Sequence, residues 1–142
     1  LLDRLRDCRR LTGIVLATTD NPLDDVLEEW AIQEGLTCHR GSEEDVLQRV
    51  VEAHQKTQSE IIVEVTGDCI LLDPEVIDLG VETFLANDCD IVTNACVPSY
   101  PQGVDVQVFR AADLEKVAGG MGDKYEANCG GGVLNTLNQV SL

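Results

Sequence analysis

Residues 61–65 form a β-branched run that closes on Thr66-Gly67-Asp68, and a short loop then leads to Asp73-Pro74. This pattern sets a lone carboxylate, Asp68, at the C-terminal end of a buried strand. In open α/β sheets that edge is where ligands sit. Gly67 allows backbone or ligand to come close, and Asp68 suits a hard, oxygen-seeking cation such as Mg²⁺. The same carboxylate can simply cap the turn, and spacing alone does not separate the two roles.

Three more groups have side chains that could do chemistry. Thr18-Thr19-Asp20 ends another strand-like run, where hydroxyls and a carboxylate could meet a nucleotide; Asp20 could equally cap the entry to Asn21-Pro22. Arg40-Gly41-Ser42, with Arg49 seven residues past Ser42, precedes a helix whose first-turn N–H groups could hold a phosphate or a polar base edge. Glu43, Glu44 and Asp45 favour the plain helix start, because they suit the helix dipole and oppose a bound anion. Tyr100-Pro101-Gln102-Gly103 feeds a segment in which Asp105 and Gln107 form a polar face that could meet a sugar, a metal or only solvent. Asp88-Cys89-Asp90 has the form of a metal-binding Asp-x-Asp, but it precedes a strand and is read as a solvated turn. His39 and His54 have no Ser or Cys partner for a nucleophilic triad, and His54 is expected to be exposed.

The elements that must position these groups alternate between strand and helix. Leu2, Leu5 and Cys8 space an opening helix that is expected to end near Thr12-Gly13. Residues 14–18 read as a buried parallel strand. Asn21-Pro22 starts a helix with Leu23, Val26, Leu27, Trp30 and Ala31 on its inward face, closed by Gly35. A short strand over 36–39 leads to a capping box of Ser42 and Asp45, and its helix turns Val46, Leu47, Val50 and Val51 inward. Asp73-Pro74 opens a further helix with Val76, Ile77, Val81, Phe84 and Leu85 inward. Strands follow at 91–95 and over the alternating Val104, Val106 and Val108, then a short helix over 111–117. Such alternation implies a three-layer α/β/α sandwich with a mostly parallel sheet. The domain is expected to span 1–118, with residues 119–142 a Gly-rich tail that is flexible or a small appendage.

A chain of 142 residues that is 44% hydrophobic can bury a core, and with 4% aromatics that core is aliphatic. The net charge of −16 disfavours nucleic acid and anionic membranes as partners. A mononucleotide stays open, because a divalent cation can bridge phosphates to carboxylates. No Lys or Arg falls between Lys56 and Arg110, so an anion near Asp68 would depend on metal, backbone N–H groups or distant arginines. The six cysteines contain no Cys-x-x-Cys pair, which argues against zinc. Neither a signal peptide nor a membrane-spanning apolar run is visible, so a reducing cytoplasm is the expected compartment.

Four blocks in order, residues 14–22 with Asp24-Asp25, residues 40–47 with Arg49, residues 66–69 with 73–77, and residues 100–105 with Phe109, resemble the cytidylyltransferases of sugar-nucleotide synthesis, the spore-coat polysaccharide type. Synthetases of CMP-activated acidic sugars are wider relatives. The resemblance covers residues 1–117. It implies the nucleotide-diphospho-sugar transferase fold and transfer of a cytidylyl group from CTP to a sugar or sugar acid, with release of pyrophosphate. It further implies Asp68 as catalytic carboxylate and Mg²⁺ ligand. Arg40, Ser42 and Arg49 would lie on the base or ribose side with Thr18 and Thr19 nearby, and Tyr100, Asp105 and Gln107 at the acceptor.

The family's opening strand and its Gly- and Arg-bearing triphosphate loop have no match in this sequence. Ile70 stands where Pro is usual, and Gln107 where Glu is common. The chain is therefore expected to be a truncated domain, incomplete for catalysis as it stands. Without the strand that would lie between them, strands 14–18 and 61–65 should pair directly or exchange between the copies of a homodimer. An acidic, non-catalytic interaction module is the alternative.

Overall fold

The computed structural model describes residues 1–96, 100–120 and 139–141, the last three by their backbone. Among these residues, five helices and six strands follow in the order α1 (Leu2–Arg6), β1 (Val15–Thr19), α2 (Asp25–Gln33), β2 (Thr37–Gly41), α3 (Val46–Thr57), β3 (Ile61–Glu64), α4 (Pro74–Ala86), β4 (Ile91–Thr93), β5 (Gln107–Arg110), α5 (Ala111–Gly120) and β6 (Gln139–Ser141). A single 3₁₀ turn, Pro22–Asp24, leads into α2.

Polar side chains start these helices, as the sequence implies. Asn21 accepts from the Leu23 N–H at 3.0 Å, Asp45 from Gln48 N–H at 2.9 Å, and Asp73 from Glu75 N–H at 2.9 Å. Ser42 is not the cap of α3. Its hydroxyl accepts from the Asp45 N–H, and Asp45 then caps the helix that begins at Val46. Helix α1 stops at Arg6, short of Thr12-Gly13, because the backbone N–H groups of Arg9 and Arg10 turn to the Asp78 carboxylate.

The strands form two sheets. β1 and β2 pair in parallel, while the second sheet has the order β3-β5-β4-β6. β5 runs against both β3 and β4, and β4 pairs in parallel with β6. The expected direct pairing of residues 14–18 with 61–65 does not occur; among the described residues β1 and β3 each keep one unpaired edge. Their side chains reflect this, for all four residues of β3 are half-buried whereas all three of β4 are buried.

Alternating residues sort to two cores, as a pleated sheet requires. Val92, Val106 and Val108 join Ile77, Val81 and Phe84 of α4, with Ile61, Val63, Leu1 and Leu5 packed alongside. On the opposite face Ile91 and Phe109 meet Leu47 and Val51 of α3 and Leu114 and Val117 of α5, with Ile62 against them. Helices thus cover both sheet faces, the α/β/α arrangement expected. Val104, Val106 and Val108 are buried as their alternation implies, although the strand begins only at Gln107.

Several side-chain placements are corrected. On α2 only Ala31 is buried, whereas Leu23 (82% exposed) and Val26 (66%) face outward, and Leu27 and Trp30 are also exposed. Leu85 is exposed on α4, where Asp78 is buried in an inward position. His54 is not exposed: its Nε2 lies 3.0 Å from Glu115 of α5. Of the tail, residues 121–138 and 142 lie outside the described residues; Gln139–Ser141 supply β6.

Candidate active site

Asp68 sits in the turn after β3. The Thr66 hydroxyl donates to Asp68 Oδ1 at 2.6 Å and lies 3.1 Å from Cys69 Sγ. Backbone bonds from Cys69 N–H to Thr66 O and from Ile70 N–H to Asp68 O tighten the turn, and buried Cys69 and Leu72 anchor it in the core. Asp68 itself is exposed, with Oδ2 left without a hydrogen bond among the described residues.

Thr18, Thr19 and Arg40 gather at the ends of β1 and β2 around a residue the sequence did not single out for chemistry, Asp24. Its Oδ2 accepts from Thr18 Oγ1 (2.7 Å), Thr19 Oγ1 (2.6 Å) and Thr19 N–H (3.1 Å). These bonds, the Thr19 hydroxyl's foremost, hold the Asp24 carboxyl below the usual carboxylate range. Arg40 is heavily engaged. Nε donates to Thr19 O, Nη2 to Asn21 O, and Nη1 to both Asp25 and Glu28. Those two carboxylates raise the guanidinium above its ordinary value. Arg49 reaches back from α3 to the carbonyls of Ser42 and Glu43, while its Nε is buried without a partner among the described residues. Ser42 is exposed beside this strap.

On the other sheet Gln107 opens β5, directly opposite Glu64 of β3. Asp105 is exposed and Tyr100 half-buried in the loop before it. Buried Asn94 fixes that loop by donating to Val104 O and accepting from Val106 N–H, both at 2.9 Å. Neither Asn94 nor Glu64 stood out in the sequence, since each reads there as one more polar residue at a strand end. The expected residues therefore form two groups, Thr18, Thr19, Arg40, Ser42 and Arg49 in one and Asp68, Tyr100, Asp105 and Gln107 in the other. No hydrogen bond or ion pair joins the groups among the described residues.

For a metal, no cluster of three or more His, Cys, Asp or Glu occurs among the described residues. Mg²⁺ carried on a substrate's phosphates takes only one or two protein carboxylates and keeps its waters. Asp68, with one oxygen free at a strand end, fits that requirement.

Helices on both sheet faces and reactive side chains at the strand ends define a nucleotide-diphospho-sugar transferase-like α/β domain. Its backbone matches a solved CMP:2-keto-3-deoxy-manno-octonic acid synthetase complexed with CTP at a TM-score of 0.68 and 13% identity, over 99% of this chain and 76% of that one. A cytidylyltransferase from Leptospira borgpetersenii serovar Hardjo-bovis matches at a TM-score of 0.82 and 35% identity, over 88% of this chain and 53% of that one. The sequence profile of the cytidylyltransferase family covers residues 1–121, and the chain belongs to that family. An uncharacterised protein of Methanocaldococcus jannaschii is 35% identical over 126 residues, 89% of this chain and 51% of the relative. The spore coat polysaccharide biosynthesis protein SpsF of Bacillus subtilis is 31% identical over 119 residues, 80% of this chain and 47% of the relative. The chain spans about half the length of the curated relatives it matches.

Proposed function

We propose that this chain is the nucleotide-handling part of an enzyme that moves the cytidylyl group of CTP to a hydroxyl of a sugar or sugar acid. The acceptor hydroxyl loses its proton to solvent as its oxygen bonds to the α-phosphorus, the bond from that phosphorus to the oxygen bridging to the β-phosphate breaks, and pyrophosphate departs. The observation that carries this reading is the free Asp68 oxygen at a strand end of a domain in the cytidylyltransferase family. Mg²⁺, when bound with the nucleotide, supplies charge neutralisation at the phosphates. Asp68 holds that side of the substrate in place, while Thr66 fixes the carboxylate's orientation. Ser42 and the start of α3, with Thr18, Thr19, Arg40 and Arg49, form the wall for base and ribose. Tyr100, Asp105 and Gln107 face the acceptor, and the contribution of all these groups is orientation and electrostatics.

A thermal-shift titration with CTP, UTP, ATP and GTP, each with and without Mg²⁺, tests the reading. At a hundredfold excess over Kd a ligand confined to the native state adds about 2.7 kcal/mol. The expected result is a CTP-selective, Mg²⁺-dependent rise in Tm that Asp68→Ala removes. No shift with any nucleotide would retire the proposal. A reducing cytoplasm belongs to the same reading, supported by the free thiols of Cys8, Cys38, Cys69, Cys89 and Cys96. A second reading, self-association as a homodimer, is favoured by the edges of β1 and β3 that are unpaired among the described residues.

A further inference from the structure

Leu23, Val26, Leu27 and Trp30 recur at the three- and four-residue spacing of one helical stripe. Ala31 is the buried residue of α2 and marks the side that faces the sheet. Around a helix of 3.6 residues per turn, Leu27 falls next to Ala31, and Trp30 and then Val26 lie progressively further round. Exposure follows that order, 39% at Leu27 and at Trp30, 66% at Val26 and 82% at Leu23 in the turn ahead of α2. The stripe therefore starts at the edge of the core and climbs onto the surface. Single exposed apolar side chains are ordinary, and Ile32 on the opposite flank of α2 is one. Four at helical spacing make a contiguous patch, the kind of surface that binds.

Hydrogen bonds hold the patch rigid at both ends. Asp24, between Leu23 and Val26, accepts from the hydroxyls of Thr18 and Thr19 and from the Thr19 N–H. Asn21 Nδ2 donates to Glu43 at 3.1 Å, and the Asn21 carbonyl accepts from Arg40 Nη2 at 2.8 Å. At the far end Arg6 donates to the Glu34 carboxylate and to the Glu34 carbonyl, each at 2.9 Å. A partner thus meets apolar side chains on an ordered backbone, which lowers the entropic cost of binding.

Charge selects that partner. Six of residues 20–34 carry carboxylates: Asp20, Asp24, Asp25, Glu28, Glu29 and Glu34. Arg40 reaches Asp25 and Glu28, and Arg6 reaches Glu34, which leaves carboxylates in excess. Glu29 is exposed and lies one turn after Val26, on the outward border of the stripe. A second copy laid stripe to stripe would set these carboxylates against their own kind, between chains of net charge −16. A helix with an apolar face flanked by Lys or Arg fits both features. Its apolar side chains at i, i+3, i+4 and i+7 cover the stripe while its cations reach the acidic rim.

We propose that Leu23, Val26, Leu27 and Trp30 form a docking surface for a basic amphipathic helix of another protein. The surface is independent of the cytidylyl-transfer reading, which assigns no part to any of these four residues.

Trp30 is the one tryptophan of the chain, so its emission reports the patch directly. The probe is an end-capped, Trp-free peptide of about 15 residues, Lys throughout except for Leu at helical spacing. A second peptide replaces each Leu by Ser. The Leu/Lys peptide should move Trp30 emission to the blue and saturate, with Kd rising as salt screens the rim. The double variant Leu23→Ser, Val26→Ser should weaken binding by about tenfold. Ile32→Ser, on the opposite flank, should bind as wild type, and Glu29→Lys should bind more weakly with a shallower salt dependence. All four positions are exposed, so the variants should keep the wild-type far-ultraviolet circular dichroism. Equal binding of the Ser/Lys peptide, or equal losses in Ile32→Ser and the double variant, would reduce the effect to bulk charge and overturn the proposal. No response to either peptide would overturn it too. So would a blue shift produced in place of the peptide response by raising protein concentration, which means a second copy, or by phosphatidylcholine vesicles, which means a bilayer.

Discussion

Asp78 is buried on α4, and its two oxygens accept from the Arg9 and Arg10 N–H groups and from Arg9 Nε at 2.9–3.2 Å. Burial by itself would raise this carboxyl; the Arg9 and Arg10 backbone bonds and the Arg9 guanidinium outweigh it and hold the group below its ordinary 3.8. With the folded value depressed, the unfolded chain binds more protons, so this contribution is present above about pH 4 and is lost as pH falls through the folded value. Asp78→Asn should cost about 1–3 kcal/mol at pH 7, and urea titrations should show the gap from wild type closing as pH falls below 3.8. At Gly41 an added Cβ would lie 3.0 Å from His39 Nε2, 3.1 Å from Arg49 Cγ and 3.3 Å from Glu52 Oε2. His39 is buried and cannot retreat, so Gly41→Ala should destabilise by about 1–2 kcal/mol, seen as a lower urea midpoint with an unchanged slope. Sequence spacing found the caps Asn21 and Asp73, because a cap acts on its own helix, but placed the cap of α3 at Ser42, three residues before Asp45. It passed over Asp78 and Asp24, because their partners are set by chain folding rather than by spacing.

Among the elements, strand and helix order was readable from apolar periodicity and from Pro, Gly and Asx punctuation. The outward face of α2 was not. Leu23, Val26, Leu27 and Trp30 keep a helical spacing that implies burial, yet only Ala31 on this helix is buried. Periodicity reports that a face is apolar, and says nothing of whether this chain itself supplies the cover. The state of the two open strands was equally hidden, since side-chain pattern carries no record of which backbone edges find partners. Hydrogen exchange reads those edges directly. Outward amides of β1 and β3 should exchange on the order of 100-fold faster than the amides of β5, which is paired on both sides.

At the scale of the whole molecule, a charge of −16 stands against the edges of β1 and β3, unpaired among the described residues, that could template pairing with another copy. Self-repulsion between copies is screened as the Debye length falls from about 30 Å at 0.01 M salt to about 3 Å at 1 M. Light scattering should therefore report a monomer in low salt and growing association in high salt; a particle size independent of salt would exclude edge pairing restrained by charge. Composition made the acidic charge plain and the alternation of strand and helix patterns gave the fold class, while the division of the sheet emerged only in three dimensions.

Helix α3 bears on that division in a mechanical sense. It packs on β1 and β2 of the first sheet, and its Leu47 and Val51 reach Ile91 and Phe109 of the second. On the far side, the Arg6–Glu34 bridge and the Arg9–Asp78 contact strap α1 and the turn after it to α2 and α4. The two sheets are thus leaves on a common pin, and torsional stiffness between them resides in side chains rather than in backbone hydrogen bonds. Shortening Val51 would loosen the pin's grip on Ile91 and Phe109 of the second leaf, so the angle between the sheets is a property tuned by aliphatic side-chain length.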